Sequence, residues 1–546
     1  MQSLKRITIM CLMAALFVTV FAACSSNGNN KSTNAPTNAG GTEASAEPTD
    51  APVKDLGIVK VVNMGDKPVI DLDKEYYPIL DELTAQWGIK LRVEYVPWGQ
   101  EMTTLQTRIA AGDIDLITIG PWSNYATLAA SNAFYDLNKV IDQAPKLAEK
   151  FGGADGLKKL EIAGKLNYIP QFSGKTNVTT NGFLYRVDLA EQWGVKPVTD
   201  LESLNAYLYK AKEELKKPII QGTPDSSGIA GRALGMYMDV TGDATAGISA
   251  IASKQSDPFN SVFLFEQPEY LEALKQAKQW YDDGISDPDI LNSKADPGIM
   301  MQDGLLPAHF LNHFSAAKVN IIPPAMNKLN GGEADADAAN PKGIKFGFLP
   351  YVTSTGKLLT ANMGNTTGVA IGVNTSDEKA AAIIKFIEAV HTDKEFFDKF
   401  QYGKEGVSYV SFPTDATVDF GTIPAEKKMY RKMSTGFTNN DMARTEQIRY
   451  KDLAADLTTM QNNLDSLAVD NPLNGFIFNP EKIQNQLLAV NDVLAATSAT
   501  RSGITGGKSI EDALADMNKK LKAAGLDAII DEMNTQLQVF KEKVGA

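Results

Sequence analysis

From Ile58 onward, short runs of β-forming residues alternate with amphipathic helical stretches, and that order predicts a chain built in α/β layers. Ile58-Val59-Lys60-Val61-Val62 reads as a first strand ending at Gly65. Ile79, Leu80, Leu83 and Trp87 recur at helical spacing, and Gly88 closes that helix. Leu91, Val93 and Tyr95 alternate with Arg92 and Glu94, the pattern of a half-buried strand. Met102, Leu105 and Ile109 mark the next helix, stopped at Gly112. Leu116-Ile117-Thr118-Ile119 follows as a buried strand. It opens into Gly120-Pro121-Trp122-Ser123-Asn124-Tyr125, a loop at the carboxyl end of a strand, where open α/β sheets bind ligands.

The same style continues downstream. Helices are predicted over Leu201–Leu215, introduced by Pro197-Val198-Thr199-Asp200, and over Tyr270–Tyr281. A strand is predicted within Gly343–Pro350. Thr375 and Glu378 stand at capping-box spacing ahead of a helix that buries Ile383, Phe386, Ile387 and Val390. Ile510, Leu514, Met517 and Leu521 form one stripe, which Gly525 separates from a last helix carrying Ile529, Ile530, Met533 and Leu537. A body of this size holds two domains or more.

The amino-terminal segment points to export. Lys5 and Arg6 precede an uncharged, mostly apolar run from Ile7 to Ala23, and Phe21-Ala22-Ala23 leads into Cys24. Residues 1–23 read as a signal peptide and Cys24 as the lipidated first residue of a lipoprotein, with ordinary cleavage nearby as the alternative. Residues 24–56 are rich in Ser, Asn, Gly, Thr, Ala and Pro and read as a tether without a core of its own. Two acyl chains on Cys24 would hold the protein at the membrane. Of the two cysteines, Cys11 lies in the removed segment, so the mature chain can form no internal disulfide. The formal charge of −13 becomes −15 without Lys5 and Arg6 (−13 minus +2). An acidic exported chain lacks the basic face that nucleic acid requires.

Three segments carry a resemblance to a known family. Ala111-Gly112-Asp113-Ile114-Asp115-Leu116-Ile117 is similar to a conserved strand entry of that family, with Ile114 in place of its usual proline. Leu184-Tyr185-Arg186-Val187-Asp188-Leu189, followed by Trp193-Gly194-Val195 and Pro197-Val198-Thr199, is similar to its crossing segment. Lys508–Leu514 and Ala524-Gly525-Leu526-Asp527 are similar to its carboxyl-terminal helix pair. The chain resembles, from about residue 57 to its end, the extracellular solute-binding proteins of the maltose-binding type.

The resemblance implies a periplasmic-binding-protein-like α/β fold: two discontinuous lobes joined by hinge crossings, with a ligand cleft between them. By position, lobe one takes residues 57–172 and 355–405, and lobe two takes 173–354 and 406–546. It further implies a protein that binds a sugar, an oligosaccharide by expectation, and hands it to the permease of an ABC importer without catalysis and without a cofactor. The expected state is a monomer at the outer face of the cytoplasmic membrane.

A sugar binder needs flat aromatic platforms and directional amides. The loop Trp122-Ser123-Asn124-Tyr125 has that chemistry, and Trp98 follows the second strand at the same predicted sheet edge. Their alternative role is packing within their own lobe. Phe310, Asn312 and His313 resemble an aromatic helix start that stacks on sugar in the family. Asn181, Tyr185 and Arg186 mark the crossing, where Tyr185 and Arg186 have the alternative of locking the hinge. Met363 and Asn365 open the return into lobe one, and Phe478 lies in a loop able to cover the cleft. His309 and His313 stand at i, i+4, but no carboxylate or thiol nearby completes a metal set. Asp335 and Asp337 lack the glycine and terminal glutamate of a calcium loop. Three other readings stay open: the same fold holding a peptide, polyamine or other solute; an exported carbohydrate-active enzyme, since 66 acidic residues leave room for a catalytic pair; and a sensory or adhesion module without a transporter.

Overall fold

The computed structural model describes residues 53–65, 67, 70–97, 100–120, 125–172, 181–221, 234–235, 237–238, 240–241, 245–289, 296–311, 314, 317–331, 340–351, 356–424, 427–428, 442–450, 452–496 and 507–546. The expected signal peptide, Cys24 and most of the tether lie outside the described residues, as do Asp335 and Asp337.

β1 (Gly57–Met64) and β2 (Ile89–Val96) run parallel in full register, from Gly57 opposite Ile89 to Met64 opposite Val96. The helix α1 (Tyr77–Thr84) connects them, with Pro78 in its first turn, where a missing N–H costs nothing. Gly88 closes that connection at φ +66°, and a Cβ there would sit 1.9 Å from the carbonyl oxygen of Lys54. Only glycine fits. α2 (Glu101–Ala111) ends the same way on left-handed Gly112. β3 (Leu116–Ile119) then lies parallel on the other side of β1. Three short helices, α3 (Tyr125–Ala130), α4 (Pro145–Lys150) and α5 (Gly153–Lys158), lead to β4 (Ile169–Pro170).

The next stretch builds separate sheets. β5 (Gly182–Arg186) is followed by α6 (Val187–Gln192) and α7 (Leu201–Leu215). Asp200 and Ser203 form a reciprocal capping box at the start of α7, which is why the helix begins at Leu201. β6 (Val240–Thr241), β7 (Ile251–Lys254) and β8 (Asp257–Phe263) make a small antiparallel sheet. After α8 (Pro268–Asp282) and α9 (Pro297–Gln302) come β9 (Ala308–Leu311), α10 (Ile322–Asn330) and β10 (Phe346–Pro350). β5 lies between β10 and β9, antiparallel to both. All five of its residues are buried, because Phe183 and Tyr185 enter one apolar cluster while Leu184 enters another. Phe310 therefore lies in a strand, paired with Phe183 across the ladder, which corrects the expected helix start at that residue; Phe314, farther along the same segment, is helical.

β11 (Leu358–Leu359) leads to β12 (Gly368–Ile371), which re-enters the first sheet between β3 and β4 and gives the order β2-β1-β3-β12-β4. α11 (Asp377–Thr392) and α12 (Lys394–Tyr402) pack beneath that sheet. The cap of α11 is Ser376, whose hydroxyl accepts the Lys379 N–H at 3.3 Å. This corrects the expected Thr375 cap, since the Thr375 hydroxyl is turned to Asp115, 3.4 Å from its Oδ1. β13 (Ser411–Thr414), β14 (Thr417–Asp419) and β15 (Thr445–Glu446) form a third small sheet. The chain closes with α13 (Leu453–Ser466), β16 (Ala468–Val469), which pairs with β11, and α14 (Gln484–Ala496), α15 (Ile510–Ala523) and α16 (Leu526–Val544).

The apolar clusters divide the body. The first gathers residues between Val59 and Ile169 with residues from Met363 onward, and it continues past residue 405 through Tyr409, Val418 and Phe420. The second joins Phe183–Phe310 and Leu349 to Ile483 and the helices α14–α16. A third surrounds Leu184, Leu311 and Phe346 and takes in Leu358 and Tyr450–Leu464. Discontinuous chain thus completes both halves.

Candidate functional site

β1, β2 and β3 are parallel, β12 is antiparallel to β3, and β4 is antiparallel to β12. One edge of the sheet therefore collects the carboxyl ends of β1–β4 and the amino end of β12. In open α/β sheets this is the ligand edge. Gly65, Pro97, Gly120, Gln171 and Thr367 follow or precede these ends, and Gln171 donates its N–H to the Thr367 carbonyl at 2.8 Å. Gly368, at the mouth of β12, has no room for a side chain: a Cβ would approach the Ile169 oxygen to 2.3 Å.

Tyr125 stands just beyond this edge, at the start of α3. Its ring lies 4.5 Å from that of Tyr168 and stacks on Phe134 at 5.9 Å. Burial and the neighbouring Tyr168 push its pKa well up, so it remains a neutral phenol. Its hydroxyl is buried and has no hydrogen-bond partner among the described residues. Tyr168 in turn donates its hydroxyl to the Met363 carbonyl, so the structure links two residues singled out in the sequence, Tyr125 and Met363, through a third. Met363 itself is buried in the first core, in the 3₁₀ turn Met363–Asn365, while Asn365 is exposed at its end.

On the other half, the topology orders the candidates along β5. Gly182 is paired with Leu311 and Pro350, so Asn181 and the chain after Leu311 share one edge. Asn181 is exposed, and its carbonyl accepts the Tyr351 N–H at 3.0 Å. Arg186 lies five residues farther, about 17 Å along the strand. Its guanidinium chelates Asp188 at 2.7 and 2.5 Å and lies over the Phe346 ring. Tyr185 stacks on Phe183 and meets Tyr207 edge-on. Phe310 is enclosed by Phe183, Trp280 and Tyr351. These three side chains are packed within their own half. Phe478 is half-buried against the second core and the carboxyl-terminal cluster. Trp98, Trp122, Ser123, Asn124, Asn312 and His313 lie outside the described residues.

One residue was missed. Asn63, near the carboxyl end of β1, is fully buried, and neither atom of its side-chain amide has a partner among the described residues. The signal was an amide in the otherwise apolar run Val61-Val62-Asn63-Met64. Such a group is expensive to bury unless something bonds it.

The family model described as bacterial extracellular solute-binding protein matches residues 79–404. The chain belongs to that family. A second family model, a domain of unknown function (DUF3502), matches residues 472–542 of this solute-binding protein. No curated protein matches its sequence significantly. Among solved structures, it is similar to the N-glycan transport solute-binding protein NgtS of Streptococcus pneumoniae, with 17% identity over 89% of this chain and 99% of that one, at a TM-score of 0.66. A human-milk-oligosaccharide-binding, ABC-transporter-associated protein of Bifidobacterium longum infantis matches at 14% identity, 89% and 99% coverage, and 0.61. The alginate-binding protein AlgQ2 matches at 18%, 90% and 99%, and 0.60. At these identities the likeness concerns the fold, which is the periplasmic-binding-protein-like α/β architecture. Among the described residues, no helix is long and apolar enough to cross a membrane.

Proposed function

We propose that this solute-binding protein captures an oligosaccharide between its two halves and delivers it to the permease of an ABC importer, by closure and without catalysis. The observation that carries the reading is the pair of buried polar groups near the ligand edge that have no partner among the described residues, the Tyr125 hydroxyl and the Asn63 amide. A sugar offers both donors and acceptors in fixed directions and would satisfy them. The ligands of the similar structures, Man1GlcNAc in the N-glycan transport protein among them, favour the same class. The residues assigned to the ligand are Trp98, Trp122, Ser123, Asn124 and Tyr125 on one side and Asn181, Asn312 and His313 on the other, with Asn365 at the crossing. Tyr185, Arg186, Phe310 and Met363 support these positions from within. Phe478 lies beside the carboxyl-terminal helices.

The test is a thermal-shift screen of the purified protein against oligosaccharides, with peptides and polyamines as controls. A ligand at a hundredfold excess over Kd adds about 2.7 kcal/mol of stability. A saturable shift with one glycan class, lost in Trp122→Ala and reduced in Tyr125→Phe, is expected. Silence with every glycan and a shift with a peptide or polyamine would reassign the ligand class.

The protein is further proposed to be a monomeric lipoprotein at the outer face of the membrane, anchored through Cys24 after removal of residues 1–23. Labelled palmitate should be incorporated by the wild type and not by Cys24→Ala, which should appear in the medium. Retention of the variant at the membrane would refute the anchor.

A further inference from the structure

The segment matched by the family of unknown function, residues 472–542, together with the four residues before it, grips the chain that crosses back between the halves. β11 pairs with β16, and Thr360 N–H donates to the Val469 carbonyl at 2.9 Å. Asn471 then binds Thr360 twice, its N–H to the hydroxyl at 3.1 Å and its side-chain amide to the carbonyl at 3.0 Å. Asn362 reaches the other way: its Oδ1 accepts from Gly475 N–H at 2.7 Å, and its Nδ2 donates to the Phe476 carbonyl at 3.3 Å. Asn474 accepts the Met363 N–H at 2.9 Å. Thr360, Asn362 and Asn471 are all buried, so these bonds form in a dry joint where each counts for more than at the surface. Contact is close enough that a Cβ on Gly364 would stand 2.5 Å from the Phe476 oxygen.

The gripping loop is itself held from behind. Leu473 and Phe476 pack with Met533, Leu537 and Phe540 of α16, the Phe476 and Phe540 rings meeting edge-on at 5.4 Å. At its end, α16 reaches the first half directly: the Lys543 ammonium donates to the Lys158 carbonyl, in the last turn of α5, at 2.7 Å. Burial and the neighbouring Lys158 and Lys159 ammonium groups lower the pKa of Lys543, against the pull of the carbonyls at the helix terminus.

We propose that residues 471–544 are a brace that fixes the crossing Leu358–Asn365 and thereby sets how far the two halves stand apart. α16 is the rigid member, the loop 471–476 is the clamp, and Lys543 ties the far end of α16 to the first half. The crossing opens directly into Thr366 and Gly368 at the ligand edge, so any rotation of the halves must pass through the clamped turn. The proposal rests on the two-lobe reading and not on the identity of the ligand.

It is tested on the ligand-free protein, by hydrogen exchange of the full chain combined with its radius of gyration in small-angle scattering. The variants are Lys543→Gln, which removes an exposed tie, and Phe540→Ala, which loosens the clamp from behind. Each is expected to raise exchange across 358–365 by about fivefold while β1 and β5 keep wild-type rates, and to shift the radius of gyration. Wild-type exchange at 358–365 in both variants overturns the brace, as does a rise confined to 471–476. If Phe540→Ala accelerates exchange throughout the protein, it reports unfolding, and Lys543→Gln alone decides. Sugar binding does not enter the readout, so failure here leaves the ligand assignment standing.

Discussion

The side chain of Asn534 takes the place of a neighbouring strand beside Ser261. Its Oδ1 accepts the Ser261 N–H at 2.6 Å, and its Nδ2 donates to the Ser261 carbonyl at 3.1 Å. One turn later, Gln538 donates to the Phe259 carbonyl at 3.0 Å. β8 is the edge of its small sheet, and an open edge is a template for unwanted pairing. Here α16 covers it and satisfies its backbone through amides at i and i+4, which share a helix face.

Asn534→Leu should therefore leave both Ser261 groups covered but unbonded. The expected loss is about 2–3 kcal/mol, read as a lower urea midpoint. Asn534→Asp keeps the acceptor and loses the donor, so it should fall between the two. A Leu variant within about 0.5 kcal/mol of wild type would mean that water replaces the amide.

His391, in the last turn of α11, should make stability depend on pH. Burial, with the nearby Lys150 ammonium, lowers its pKa from the usual 6.5 to about 3, and its ring lies against Phe151. The folded state keeps the imidazole neutral, whereas the unfolded chain takes up a proton as pH falls through 6.5. Its contribution is thus complete above 6.5 and is lost progressively down to about 3. Between pH 6.5 and 5 the loss should reach about 1.6 kcal/mol. Chemical denaturation of His391→Gln at the two pH values should show a dependence smaller by that amount. Parallel curves for the two proteins would exclude the effect.

Arg444 and Asp398 form an ion pair with side chains only 5% and 8% exposed. Two bonds join them, at 2.9 and 2.5 Å, and Lys394 adds a third contact to Asp398 at 3.0 Å. Arg444→Met leaves the buried Asp398 carboxylate with Lys394 as its remaining cation and should lower stability by about 3 kcal/mol. Arg444→Lys cannot reproduce the fork and should recover only part of it. Equal stability of the Lys variant and wild type, measured by denaturation, would show that charge alone suffices.

Asn63→Leu separates stability from binding. Removing an amide that has no partner among the described residues should raise the stability of the ligand-free protein, by about 1–2 kcal/mol. The same variant should bind its glycan more weakly than wild type in calorimetry. Unchanged affinity would remove Asn63 from the ligand's contacts.

Local structure was largely legible in the sequence. Apolar spacing located α1, α7, α8 and α16, and Gly88, Gly112 and Gly525 marked turns that the backbone does take in the left-handed region. The Thr375 reading failed because a capping motif names residue types, while Asp115, 260 positions away, decides which hydroxyl is free. Phe310 was read as a helix start because an aromatic cluster looks alike in either state until its ladder partner, Phe183, is known.

The order of strands and helices, their periods and their glycine stops are written in neighbouring residues, and with them the α/β class and the family likeness. What touches across the fold is not. The burial of Asn63, the ring of Tyr125 against Tyr168, the Asn534 cover of β8 and the clamp of Asn362 and Asn471 on the crossing join residues as much as 273 positions apart. Such contacts depend on the register of β12 between β3 and β4 and on the return of the last helix across β8. Only the folded chain sets these, because a side chain's partner is fixed by packing and not by its sequence neighbours.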